Sequence, residues 1–300
     1  MLKKIKSILH RNQLLYNLLF NLYKTIVLLF LYPYRAKKNF SKFKKYYFNN
    51  STESISEAIK MLNTNNKLMI PFKFINKYDK INYEIIHDDF GYPAVKINNN
   101  LIFFPKETTN KDILGSVKTH FIEQDEESPH KYFIDKSQLF GHTAILVGAS
   151  DGLLALDLID SFKHIYLIES DKNWIEPLKK TFCLFKEKIT ILNIYASDIS
   201  TGNQKKLDDI FKSYEHSIDF LQADVEGAAG ILLKGAENML YDHMPKIAIA
   251  CYHTHNEASD IKNILEKFNY KTSFSQKFVY NWNHYLQEPF IRKGVIYADK

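Results

Sequence analysis

Two glycines four residues apart, a carboxylate between them and a glutamate about twenty residues further on could together hold a nucleoside. They are Gly148, Asp151, Gly152 and Glu169, in HTAILVGASDGLLALDLIDSFKHIYLIESD. Gly148 stands where an apolar run must turn sharply, and Gly152 is expected to let the backbone pass close to a ligand that a Cβ would block. A helix N-terminus then points at that ligand. Glu169, followed by Ser170, ends a second apolar run, where a carboxylate can accept hydrogen bonds from both hydroxyls of a ribose. The chemistry expected of this set is adenosine binding.

The spacing also separates two cofactors. A dinucleotide site needs a third glycine so that the helix packs close while its N-terminus receives a pyrophosphate, and Ala155 fills that position. Ser150 and Asp151 lie inside the turn, where a negative charge repels a pyrophosphate and suits the amino group of a methionine moiety. S-adenosylmethionine therefore fits better than NAD. Further candidates lie at later strand ends. Asp224 and Glu226 flank Val225 and point to opposite faces unless a turn at Gly227 redirects one. Asp198 ends another run, where it either meets an adenine or caps the turn before Ser200. His253 and His255 follow the last parallel run. Of the roles open to this pair, acid-base chemistry by His253 is favoured over a metal site, and no metal is expected.

These residues need a scaffold of alternating strands and helices. From Leu139 onward apolar runs (Thr143–Ala149, Ile165–Glu169, Ile189–Ala196, Asp219–Val225, Lys246–Tyr252) alternate with helical patterns, the mark of a parallel sheet covered on both faces. Lys277–Trp282 and Gly294–Ala298 read as a terminal pair with at least one antiparallel strand. Between Phe48 and Phe133 the runs are short and β-rich (Lys67–Phe74, Tyr92–Ile97, Asn100–Phe104), a small cap. Three regions follow: a basic amphipathic N-terminal helix region at 1–45, the β-rich cap at 46–135, and a cofactor domain at 136–300.

Composition narrows the partners. Of 300 residues 45% are hydrophobic, enough for one large core, and the formal net charge is +6. Much of that excess lies before residue 46, from Lys3 and Lys4 to Lys44 and Lys45, which argues against a nucleic-acid groove in the folded core. Between Ile8 and Tyr34 the polar residues His10, Gln13, Asn17, Asn21 and Lys24 recur every three or four positions, one stripe on a helix. A bilayer span would bury Lys24 at about 2.5–3.5 kcal/mol. Basic flanks suit a helix lying on an anionic leaflet, with packing on protein as the other reading. No small-residue cleavage site marks a secretory signal. Cys183 and Cys251 lie far apart in patterns that read as buried, so a cytoplasmic location, peripheral at the inner face of the membrane, is expected.

AILVGASDG, YLIESD followed by Trp174, DFLQADVEGAAGILLKGAENML and IAIACYH together resemble the FkbM family of class I S-adenosylmethionine-dependent methyltransferases. The likeness runs from about Glu123 to the C-terminus and takes in EQDEESPHKY and PFIRKGVI. Ala229 departs from the pattern, standing where the family usually has Glu. The resemblance implies an α/β fold with a Rossmann-like parallel sheet and an antiparallel C-terminal strand, behind the cap and N-terminal helix. It also implies methyl transfer to a hydroxyl oxygen, expected on a sugar in a surface glycan.

The expected cofactor-binding residues are Gly148, Ser150, Asp151, Gly152, Glu169, Ser170, Asp198 and Asp224. His253, Asp224 and Glu226 are the expected catalytic residues, with His253 as base, and Glu123, Gln124, Ser128 and His130 are expected to close over the methionine end. The competing functions are an NAD-dependent sugar dehydrogenase or epimerase, which should show a third glycine and a Tyr-x-x-x-Lys pair, and a non-catalytic membrane-associated scaffold. The acceptor and the oligomeric state are not fixed by sequence.

Overall fold

The computed structural model describes residues 27–282 and 287–300, so the polar stripe from His10 to Lys24 lies outside the described residues. The chain divides into two compact units. One takes residues up to Lys73 with Tyr280–Ile291; the other takes Phe74–Val279 with Arg292–Lys300.

In the first unit a π turn (Val27–Leu31) leads into α1 (Tyr32–Tyr46), which Pro33 starts without losing a needed donor. Ala36, Asn39 and Phe43, at helical spacing, form its buried face. α2 (Glu53–Thr64) begins where the Thr52 hydroxyl accepts from the Ile55 N–H. The returning segment packs on α1: Asn39 Nδ2 donates to the Trp282 carbonyl at 2.8 Å, and Phe43 meets the Tyr280 ring at 5.4 Å.

The second unit opens with a three-stranded antiparallel sheet, β1 (Ile85–His87), β2 (Pro93–Ile97) and β3 (Asn100–Phe103), then α3 (Asn110–Glu123), capped by Thr109. The stretch expected to be β-rich is thus a mixture of short strands and helices. Lys67–Phe74 forms no strand, because Pro71 interrupts it and a 3-10 turn follows at Lys73–Tyr78.

The large sheet has seven strands. β4 (Gly141–Val147), β5 (Phe162–Ile168), β6 (Ile189–Leu192), β9 (Ile218–Ala223) and β10 (Lys246–Ala250) are parallel to one another, and β12 (Val295–Asp299) runs antiparallel between β10 and β11 (Lys271–Phe274). A two-stranded pair, β7 (Tyr195–Ala196) with β8 (Gln204–Lys205), stands apart. The terminal pair is therefore β11 with β12. Lys277–Trp282 is not a strand; Lys277 takes φ +61°, which breaks extended structure.

Alternation along the strands sends successive side chains to opposite faces. Ile145, Val147, Ile247 and Ile249 face α6 (Leu207–Ile210), α7 (Ala229–Lys234), α8 (Glu237–His243) and α9 (Glu257–Lys267) through Leu207, Leu232, Leu240 and Ile261. Ala144, Leu146, Ala248 and Ala250 face α4 (Leu153–Leu158) and α5 (Ile175–Thr181) through Leu158 and Leu178. The sheet order places β9 beside β4, with β5 on the other side. This is the switch point outside whose carboxyl ends ligands bind. An antiparallel strand inserted next to the edge departs from the all-parallel dinucleotide order, which removes the structural ground for the dehydrogenase reading.

Candidate active site

A cleft of about 630 Å³ opens at that switch point, floored by the ends of β4, β5 and β9 and walled by α3. Gly148, Ser150, Asp151, Glu169, Ser170, Asp224 and Glu226 line it. The turn after β4 is held from two sides. A Cβ on Gly148, at φ +83°, would lie 2.0 Å from the Asp224 carbonyl oxygen, so only glycine lets this turn approach the end of β9. Gly152 serves a different purpose from the one expected. At φ +78° it precedes α4, and a Cβ there would meet Phe182 at 2.7 Å and Leu178 at 2.9 Å, so the close approach is to α5 and its flank. α4 has only six residues, and Leu154 and Ala155 from its first turn line the cleft beside the turn itself.

Glu169 is 7% exposed and ends β5. One carboxylate oxygen accepts from the Ser150 N–H at 2.9 Å and the other from the Asp171 N–H at 2.7 Å. Each oxygen keeps a second lone pair for a ligand hydroxyl. Asp151 accepts from the Leu153 N–H and, at 2.6 Å, from the Ser116 hydroxyl on α3, tying the turn to the helix that faces it.

Asp198 does not reach the cleft. It takes a 3.4 Å hydrogen bond from the adjacent Ser197 hydroxyl, and the wall at this level comes from Ile194, Tyr195 and Ala196. The strand expected through Ala196 stops at Leu192, and the displaced β7 turns Asp198 away.

Beyond Asp224 lies a line of alternating carboxylates and imidazoles. Glu123 Oε2 is 3.6 Å from His130 Nδ1; His130 Nε2 is 3.4 Å from Asp224 Oδ2; Asp224 Oδ1 is 3.1 Å from His253 Nε2; and His253 Nδ1 is 3.4 Å from Glu257 Oε2. The spacings are those of ion pairs, though neither His253 nitrogen has hydrogen-bond alignment with its carboxylate. Tyr132 donates its hydroxyl to Asp224 Oδ2 at 2.8 Å. Glu226 at φ +49° and Gly227 at φ +93° form the turn that redirects Glu226, leaving its exposed carboxylate 3.9 Å from His253 Nε2. Arg292 donates to the carbonyls of Tyr252 and His253 at 2.6 Å, fixing the segment that carries the imidazole.

This arrangement sets the protonation states. Burial works against charge on His253, but the carboxylates of Asp224 and Glu257 outweigh it and carry the ring up to about 10. Burial likewise opposes charge on Asp224, yet His130 and His253 hold it well below the usual carboxylate range. Asp224 and Glu257 thus favour the imidazolium form of His253 at neutral pH, which counts against its expected role as base. Burial pushes the Glu123 carboxyl up, opposed by His130 and reinforced by Asp224 and Asp151. Among the described residues no group of three or more His, Cys, Asp or Glu is arranged to hold a metal ion.

Several lining residues were not singled out from sequence, Ser116, Thr119 and His120 on α3 and Tyr132, and Trp174 was named there only among the residues that carry the resemblance. The signal for the first three was present, since 116, 119, 120 and 123 fall on one helical face. Burial lowers the affinity of His120 for a proton, but a 2.9 Å contact with Asp157 raises it beyond its ordinary value. Ser128 lies just outside the cleft, bonded to the His130 N–H. Cys251 is buried as expected; Cys183 is exposed.

Residues 188–272 match the Methyltransferase FkbM domain. No curated protein matches the chain. Among solved structures it is similar to Methyltransferase FkbM from Methylobacillus flagellatus KT at 20% identity and TM-score 0.43, covering 64% of this chain and 55% of that one. The chain thus spans about half the length of that relative. It is also similar to Precorrin-6y C5,15-methyltransferase from Geobacter metallireducens GS-15 (11% identity, TM-score 0.39, 66% of this chain and 94% of that one). A putative methyltransferase from Streptococcus mutans in complex with SAH is similar at 13% identity and TM-score 0.35, over 55% of this chain and 93% of that one. The stretch that matches the Methyltransferase FkbM domain, residues 188–272, runs from β6 through β9 and β10 into β11 of the mostly parallel seven-stranded sheet.

Proposed function

We propose that the protein transfers a methyl group from S-adenosylmethionine to a hydroxyl oxygen of an uncharged sugar. The observation that carries the cofactor is Glu169, buried at the end of β5 with a lone pair of each oxygen free beside the Gly148 turn. Glu169 holds the ribose, Gly148 to Asp151 pass under the methionine end, and Asp224 stays ionised beside it. The cleft supports the donor electrostatically: Glu123, Asp151, Glu169, Asp171, Asp224 and Glu226 line it, with no Lys or Arg among its described lining residues. That field attracts a molecule with sulfonium and ammonium groups and repels a phosphorylated acceptor.

The donor supplies an already activated methyl, so this chain's residues need to position the acceptor and take its proton. Glu123 is the base. It lines the cleft from the end of α3, and its raised affinity for a proton moves a carboxylate toward the strength a base needs near neutrality. The acceptor oxygen forms a bond to the methyl carbon as the carbon–sulfur bond breaks, its electron pair stays on sulfur, and the hydroxyl proton passes to Glu123. A glycan as the sugar's setting rests on the FkbM resemblance.

Incubation with S-adenosylmethionine labelled on the methyl group, against a panel of neutral and phosphorylated sugars, tests this reading. Label should enter neutral sugars and resist mild alkali, as a methyl ether does. Alkali-labile label, or label confined to phosphorylated acceptors, contradicts it. Absence of S-adenosylmethionine binding in a calorimetric titration returns the scaffold reading, since a scaffold need not bind the cofactor.

A further inference from the structure

We infer that the exposed face of α1 docks on an anionic membrane surface. Lys37, Lys38, Lys42 and Lys45 are exposed and lie on one side of the helix, opposite buried Ala36, Asn39 and Phe43. No acidic side chain among the described residues pairs with any of the four, and α1 itself contains no Asp or Glu. Lys38 reaches only the ring of Tyr34, at 5.8 Å. A solvated helix face normally mixes both signs of charge, which leaves this one unbalanced.

Charge alone would suit a nucleic acid as well as a lipid headgroup. The apolar residues at the start of the helix decide between them. Leu29, Phe30 and Tyr34 are 62%, 68% and 65% exposed, and Leu31 is 44% exposed. Three large apolar side chains in sequence, open to water beside a row of lysines, are the two components of an interfacial anchor. The lysines meet lipid phosphates while leucine and phenylalanine enter the acyl boundary. A nucleic-acid groove offers nothing to Leu29 or Leu31. Among the described residues no helix is long and apolar enough to cross a membrane.

The test is flotation of the full chain with vesicles of phosphatidylcholine containing a third phosphatidylglycerol, compared with pure phosphatidylcholine, in low and high salt. The protein should float with the anionic vesicles only, and high salt should release it. A variant with Lys37→Glu, Lys38→Glu, Lys42→Glu and Lys45→Glu should lose at least tenfold in the bound fraction at limiting lipid. Leu29→Ser with Phe30→Ser should weaken binding with the lysines intact. Circular dichroism confirms that each variant is folded. Equal flotation with neutral vesicles, no flotation of the wild type, or an unchanged charge-reversed variant would overturn the proposal. So would a duplex oligonucleotide that binds the wild type more tightly than the anionic vesicles and is insensitive to the two serine substitutions.

Discussion

At the scale of single residues, the charge state of His253 decides what chemistry the site can do. Its affinity for a proton is raised on folding, so the stability it contributes is fully present below about 6.5, the ordinary value for an unfolded imidazole, and is lost as pH rises toward about 10. Asp224, Glu226 and Glu257 are the titratable groups facing it. His253→Gln removes this contribution. Urea unfolding of wild type and variant should therefore diverge most at pH 6 and converge toward pH 10, and a difference that grows with pH would contradict the imidazolium. In the proposed reaction the base is Glu123, facing His130, Asp224, His120 and Asp151. Glu123→Gln should cut turnover by about a hundredfold to ten-thousandfold while cofactor affinity holds. The acidic limb of the wild-type pH profile should lie above the usual carboxylate value and vanish in the variant. Unchanged turnover would assign the proton to another group.

At the scale of elements, the turn after β4 carries the site because two backbones meet there. Gly148→Ala would drive a Cβ to 2.0 Å from the Asp224 carbonyl oxygen at a φ that favours glycine. A loss of about 3 kcal/mol or more in urea unfolding is expected, along with lost cofactor binding. A variant of wild-type stability would mean that the turn and β9 are not in contact. Sequence periodicity made the parallel strands legible, since each is an apolar run and those of β4, β5 and β9 are closed by Gly148, Glu169 and Asp224. It also placed Gly148, Glu169 and Asp224. Missing was what depends on tertiary geometry: the break between β6 and β7 that turns Asp198 away, and the packing of Gly152 against Phe182. The pairing of β12 with β11 rather than with Lys277–Trp282 was equally hidden, for a positive φ at Lys277 leaves no mark in an apolar pattern. Ala229 shows the limit from the other side. The expected carboxylate would stand at a fully buried position in the core between sheet and helices, so its absence here removes no cleft residue.

At the scale of the whole molecule, each unit carries its own charge pattern: carboxylates line the cleft of one, and lysines crowd α1 of the other. The protonation state of His253 was beyond sequence because it requires carboxylates from the end of β9 and from α9 to surround one ring. Everything proposed for the cleft rests on S-adenosylmethionine lying with its ribose on Glu169. Calorimetric titration of wild type and Glu169→Ala with S-adenosylmethionine and with its 2′,3′-dideoxy analogue tests this most directly. The wild type should bind the natural cofactor, and the variant should bind it more than tenfold more weakly. Two hydrogen bonds to a charged acceptor are lost, at about 1.5–3 kcal/mol each. The dideoxy analogue, lacking both hydroxyls, should bind the two proteins alike. No binding to wild type, or equal affinity of the folded variant for the natural cofactor, would contradict the assignment.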